Sequence, residues 1–255
     1  MQYAPNFAPV GPIHTLEYLH ENNALGKYQL LLAHDVVAKA SRYKKLFKSM
    51  REKDPFGCLV IMDNSVVELG KAVDPELIEE AVSLVKTDVI VLPDVMYEKD
   101  KTVYSVAEGL NKLSFLRERD PCTSFMAVPQ GRTLEEFIQC AEQLSKFNFQ
   151  YWGVPKHAGS YTGSRTILVR ILRTIKSLPV HLLGFSSSLL DDMLSVNEFG
   201  VFGIDSAVPI RLGSFKHEMF LTDEHDQRGD WWDNSAIEPE ILENVRKVRQ
   251  WVKNN

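Results

Sequence analysis

The chain has 255 residues, of which 44% are hydrophobic and 25% charged, and carries a formal net charge of −5; that composition supplies the core of one large α/β domain. The acidic balance does not advertise a nucleic-acid binder, whose phosphate contacts usually show as a surplus of Lys and Arg, although a local basic rim can sit on an acidic body. Cys58, Cys122 and Cys140 are scattered singly with no CxxC pair, which argues against a disulfide framework or structural zinc and for a reducing cytoplasm, and no run approaches the ~18 apolar residues of a membrane helix.

Short apolar runs alternate with segments of helical periodicity from end to end. The first run, near residues 2–8, is interrupted by Pro5, with Pro9 and Pro12 just beyond. A helix is expected over Thr15–Glu21, a strand near 28–33, a helix over Ser41–Lys53 and a strand near 58–63 that ends in Asp63. Asp74-Pro75-Glu76 places a capping acid before a proline at the first helical position, so the next helix runs over Pro75–Val85. A strand near 89–93 delivers Asp94, and a helix follows over Thr102–Arg119. After a strand near 124–129, Thr133-Leu134-Glu135-Glu136 has the form of a capping box and opens a helix over Leu134–Phe147. Strands near 149–154, 180–185 and 200–204 then alternate with helices over Ser164–Lys176, Ser188–Ser195 and Pro239–Lys253. Continuous apolar strands joined by crossover helices mean a parallel sheet, and eight of each predict a single-domain (β/α)8 TIM barrel over residues 1–255. Val208–Glu238 reads as one long irregular loop, a candidate lid or substrate-contact element.

Barrel enzymes place their chemistry on loops at the C-terminal ends of the strands. Asp63, Asp94, Gln130, Gly153, Gly184 and Asp205 all occupy such ends, where an aspartate alone is as often an N-cap for the following helix. Two carboxylates facing one substrate can divide the work, one ionised as nucleophile and one held as acid or base. Asp205 and Asp63 are the candidate pair; Asp94 could accept hydrogen bonds from substrate N–H groups, and Gln130 offers both donor and acceptor.

The ordered motifs Met62-Asp63-Asn64-Ser65, Leu92-Pro93-Asp94, Val128-Pro129-Gln130-Gly131, Trp152-Gly153-Val154, Leu182-Leu183-Gly184-Phe185 and Gly203-Ile204-Asp205-Ser206-Ala207-Val208-Pro209-Ile210-Arg211 resemble the tRNA-guanine transglycosylases, above all the small phage relatives that insert 7-deazaguanines into DNA. The resemblance spans roughly residues 55–215. It implies that Asp205 attacks the sugar C1′ and expels guanine through a covalent glycosyl-enzyme, that Asp63 is the general acid/base, that Asp94 and Gln130 read the purine edge, and that the Gly153 N–H bonds the base carbonyl. Asn64, Gly184 and Phe185 join them as candidate substrate contacts. It also implies a 7-deazaguanine base such as preQ0 as co-substrate, DNA ahead of tRNA as partner, no cofactor, and the host cytoplasm as location if the protein is phage-encoded. Two departures bear on this. The family's Asp-Ser-Gly-Gly is here Asp63-Asn64-Ser65-Val66, and no cysteine follows Cys140, so the C-terminal zinc module of the tRNA enzymes is missing from this chain.

Chemistry on a base inside a nucleic acid requires that base to leave the stack, so an aromatic clamp is expected from Phe185, Tyr161, Trp231 or Trp232. Lys156, Arg165, Arg211, Lys216 and Arg228 are candidate phosphate contacts, against the alternative of solvated or salt-bridged side chains. The run Asp223-Glu224-His225-Asp226, with His217 nearby, lacks metal-ligand spacing and reads as a solvated loop. A barrel N-glycosidic hydrolase using the same acids, and a catalytically silent nucleic-acid-binding subunit, are the alternatives to base exchange.

Overall fold

The computed structural model describes residues 6–54, 57–185, 192, 201–219, 231–234 and 237–254. Eight parallel strands form one sheet: β1 (Asn6–Pro9), β2 (Tyr28–Leu32), β3 (Leu59–Asp63), β4 (Val89–Val91), β5 (Ser124–Ala127), β6 (Tyr151–Pro155), β7 (Val180–Leu183) and β8 (Gly203–Ser206). The hydrogen-bonded order runs β1-β8-β7-β6-β5-β4-β3-β2, and β1 lies against β2, so the sheet curls into a nearly closed barrel. The expected (β/α)8 barrel is what the chain forms. Pro9 is accommodated because it ends β1, whose one ladder partner is β8.

The strand pleat sorts side chains into two cores with period two. Phe7, Leu31, Val60, Met62, Ile90, Phe125, Ala127, Val180, Leu182 and Ile204 face the helices. Ala8, Val10, Leu30, Leu32, Ile61, Val89, Val91, Met126 and Val128 fill the barrel interior. The inward parity carries directly to the chemistry. Asp63 continues Leu59 and Ile61, and Asp205 shares its parity with Gly203, so both aspartates point into the barrel rather than towards a helix.

Around the sheet lie α1 (Ile13–Glu21), α2 (Ala33–Ala38), α3 (Ala40–Lys53), α4 (Val66–Leu69), α5 (Pro75–Leu84), α6 (Lys99–Arg119), α7 (Leu134–Leu144), α8 (Arg165–Ile175), α9 (Val208–Ser214), α10 (Trp231–Asn234) and α11 (Pro239–Asn254). The Thr133 hydroxyl caps α7 by accepting from the Glu136 N–H at 3.2 Å, while Glu136 reaches back to the Arg132 N–H at 2.7 Å. At α5 the expected side-chain cap is absent. Pro75 is in the first turn, but it is the Asp74 carbonyl, not its carboxylate, that takes the Leu77 N–H.

The supposed loop 208–238 begins instead as α9. Pro209 sits in its first turn, where a missing N–H costs nothing. Gly213 lets it approach α11 so closely that a Cβ there would lie 2.5 Å from the Ile241 backbone. The expected helix Ser188–Ser195, apart from Asp192, and the stretch 220–230 with Arg228 and Asp223-Glu224-His225-Asp226 lie outside the described residues. Among the described residues no helix is long and apolar enough to cross a membrane.

Candidate active site

A cavity of about 810 Å³ opens at the C-terminal mouth of the barrel, walled by Asp63, Asp94, Gln130, Asp205 and Phe185 among others. Four of the polar strand-end residues singled out in sequence therefore reach one cavity. β3 and β8 bring Asp63 and Asp205 there by the inward pleat described above.

Asp205 is 8% exposed and held by one oxygen. Its Oδ1 lies 2.9 Å from His181 Nε2 and accepts the Gly184 N–H at 3.1 Å. His181, wholly buried on β7, in turn places Nδ1 2.7 Å from the Tyr28 hydroxyl on β2. Gly203 makes room for this arrangement, since a Cβ there would fall 2.5 Å from the Tyr28 ring. Neither Tyr28 nor His181 emerged from the sequence. The available signal was parity: in Val180-His181-Leu182-Leu183 the histidine alternates with two apolar residues that face the helices, so it must enter the barrel.

Asp63 is fixed differently. One oxygen accepts the Ser65 N–H at 2.8 Å, with Ser65 in the left-handed region at φ 61°. Burial, then the neighbouring Glu68 carboxylate, push its carboxyl well above the usual carboxylate range, against the pull of the Ser65 N–H. This left-handed turn is made by a serine rather than a glycine, at a strain cost of order 1 kcal/mol or more.

Asp94 is 2% exposed and sits between two amides. Asn64 Nδ2 donates to its Oδ1 at 2.7 Å and Gln130 Nε2 to its Oδ2 at 2.6 Å, while Gln130 Oε1 accepts the Tyr97 N–H at 3.2 Å. Burial outweighs these donors and raises Asp94 to about 6. Each of its oxygens already has a protein donor, so a substrate N–H would reach only a remaining lone pair. A raised folded-state value means that Asp94 stabilises the fold fully below about pH 4 and loses that contribution as pH rises through about 6. Urea unfolding of wild type and Asp94→Asn between pH 4 and 7 is expected to show their stability difference shifting against wild type across that window, then staying flat.

The other candidates separate. Asn64 is buried and spends its amide on the Leu92 carbonyl at 2.9 Å, on Asp94 and on the Val66 N–H at 3.0 Å, so it braces the site from beneath. Gly153 is not in the cavity wall. A Cβ there would meet Val128, Leu183 and Met126 inside the barrel, one layer down. Gly184, at φ 68°, borders the cavity but gives its N–H to Asp205 and its carbonyl to Arg165. Phe185 forms cavity wall yet is stacked on Phe7 at 5.8 Å, and the Tyr161 hydroxyl donates to the Gly131 carbonyl. Neither ring is free to clamp a base. Tyr97 is better placed: 45% exposed, at φ 65°, and 4.4 Å from the His157 ring, which burial lowers to about 4 and so keeps neutral. Trp231 reaches the cavity; Trp232 packs on the barrel-interior core.

Of the basic residues, Lys156 and Arg211 border the cavity. Lys216 does not, and pairs with Glu238 at 3.5 Å. Arg165 is removed from the phosphate contacts altogether. It is wholly buried, paired with the equally buried Asp192 at 2.7 Å and donating to the carbonyls of Val154, Leu183 and Gly184 at 3.3, 3.0 and 2.6 Å. Among the described residues no group of three or more His, Cys, Asp or Glu side chains is arranged to hold a metal ion.

No family model matches the chain, and no curated protein matches it significantly. The likeness to the guanine transglycosylases therefore rests on its own motifs and their placement.

Proposed function

We propose that the protein exchanges a guanine in nucleic acid, DNA ahead of tRNA, for a 7-deazaguanine base through a covalent Asp205-glycosyl intermediate. The observation that supports this is the unequal environment of two carboxyls on one cavity: Asp205 anchored through Oδ1 by N–H donors, Asp63 with its carboxyl pushed well above the usual range by burial and Glu68. A carboxyl whose surroundings favour its protonated form suits the acid, and one oriented with an oxygen left to bond carbon suits the nucleophile.

In the first half, Asp205 Oδ2 bonds C1′ as the C1′–N9 bond of guanine breaks, and the electron pair leaves on the base. Asp63 donates its proton to that base. In the second half the incoming 7-deazaguanine gives its ring N–H proton to the Asp63 carboxylate and bonds C1′, and the C1′–Oδ2 electron pair returns to Asp205. The target base must first leave the helical stack. Tyr97 offers it a face at the mouth, and Lys156 and Arg211 offer positive charge to the backbone.

Incubation with radiolabelled 7-deazaguanine and either single-stranded DNA or tRNA tests this reading. Label entering DNA supports it; label entering tRNA alone reverses the preferred substrate; free guanine released without incorporation makes the protein a hydrolase. Because neutral Asp63 is the donor, adduct formation is expected to fall as pH rises through its elevated value. Asp63→Asn should remove that alkaline limb and slow formation by about 10² or more, measurable in single-turnover pH profiles.

A further inference from the structure

We infer that Tyr28 and His181 form a positioning relay beneath Asp205, which fixes Oδ1 as a permanent acceptor, leaves Oδ2 as the bonding oxygen and speeds discharge of the glycosyl-enzyme. The inference rests on the base-exchange reading for its kinetic part alone; the hydrogen-bond chain stands on geometry.

Oδ1 of Asp205 accepts the Gly184 N–H at 3.1 Å, so it is an acceptor, and the His181 Nε2 at 2.9 Å must therefore carry a hydrogen. The Nδ1 atom is then decided by Tyr28. The hydroxyl is buried and, among the described residues, its one hydrogen-bond partner is Nδ1 at 2.7 Å. Were Nδ1–H the donor, the phenolic hydrogen would be left unpaired in the core, at the cost of desolvating it for nothing. Tyr28 O–H therefore donates to Nδ1, and His181 is a neutral imidazole bearing its hydrogen on Nε2. Burial, reinforced by the charges of Asp205 and Tyr151, also pushes the Tyr28 hydroxyl well above its ordinary value, so it keeps its proton.

The chemistry of such a chain follows from where charge appears. When Oδ2 is esterified to C1′, Oδ1 becomes the ester carbonyl. As the C1′–Oδ2 bond breaks in the second half, the electron pair delocalises onto Oδ1, where two N–H donors already point. Donors fixed in advance at a developing charge stabilise the transition state without reorganising. The relay therefore acts on discharge more than on formation, a signature that general loosening of the site would not give.

Tyr28→Phe keeps the ring in its slot under Gly203 and removes only the O–H, leaving Nδ1 without its donor while Asp205 Oδ1 still holds the hydrogen on Nε2. Two measurements on the full chain test the inference. Long-range ¹⁵N–¹H correlation at neutral pH is expected to show wild-type His181 with a bare Nδ1 and a protonated Nε2, and in Tyr28→Phe a shifted Nδ1 resonance, its hydrogen bond lost, with Nε2 still protonated. In chase experiments with added guanine, the adduct formed on a guanine-containing single-stranded oligodeoxynucleotide is expected to discharge about threefold to tenfold more slowly in Tyr28→Phe, with formation and oligonucleotide affinity within about twofold of wild type. His181→Gln, whose amide N–H can reach Oδ1, should discharge faster than His181→Leu. An imidazolium or Nδ1–H form in wild type, an unchanged spectrum in Tyr28→Phe, or slower formation with unchanged discharge would each overturn the relay. Failure of wild type to form any adduct overturns base exchange and the discharge role with it, while the spectrum still decides the Tyr28–His181–Asp205 chain.

Discussion

Replacing Asp205 with asparagine is expected to abolish the covalent adduct on denaturing gels and to lower base exchange by at least about 10³-fold, the scale of loss when a nucleophile is removed. The variant isolates chemistry from structure. An asparagine Oδ1 can still accept from His181 Nε2 and from the Gly184 N–H, the two donors seen at 2.9 and 3.1 Å, so the buried network stays satisfied. What changes is the second atom: an amide NH2 replaces Oδ2 and cannot attack C1′. Thermal unfolding should consequently move little, by about 1 kcal/mol or less in stability. Asp205→Ala is a poorer test, because it leaves the His181 N–H buried without an acceptor, at about 1 to 3 kcal/mol. An adduct that survives Asp205→Asn would move the nucleophile elsewhere, with Asp63 the next acid on the cavity.

How far the sequence reveals this site depends on where each signal lies. Alternating apolar runs and capped helices are local, so the barrel and its strand ends are legible, and with them Asp63, Asp94, Gln130 and Asp205. Partnerships are not local. Arg165 follows a helix cap in a polar turn and reads as a surface cation; what buries it is Asp192 and three strand-end carbonyls, one of them 19 residues away. Lone histidine in Val180-His181-Leu182-Leu183 reads as a core residue until the pleat turns it inward beside Asp205. In α9, Pro209 and Gly213 resemble loop punctuation, yet one belongs to a first turn and the other to a helix–helix contact. The short left-handed turn at Ser65 hides for the opposite reason: its residue type gives no hint of a positive φ.

Arg165 carries the second large effect, on stability. Truncation to alanine is expected to destabilise the protein by about 3 to 5 kcal/mol in urea unfolding, because it takes the paired guanidinium from the buried Asp192 carboxylate and removes a donor from the carbonyls of Val154, Leu183 and Gly184. Lysine should rescue little of this. A point-like ammonium cannot reproduce the planar fork that meets both Asp192 oxygens, at 2.7 Å each, while also reaching three carbonyls. The double replacement Arg165→Met with Asp192→Leu removes both charges together and should recover the part of the loss that comes from the uncompensated carboxylate, since an apolar pair of similar volume is often neutral against a buried ion pair, though not the part that comes from the three carbonyls. Activity should not recover with it. The guanidinium holds the Gly184 carbonyl at 2.6 Å, and the N–H of that same residue holds Asp205 Oδ1. Without the clamp, the β7 end loses the tether that aims that N–H, and a displacement on the order of 1 Å at a reacting group can cost about 10²-fold in rate. A double variant that is both stable and fully active would show that the buried pair serves the fold alone. One that is stable but impaired, with oligonucleotide affinity preserved, would tie the clamp to the aim of Asp205.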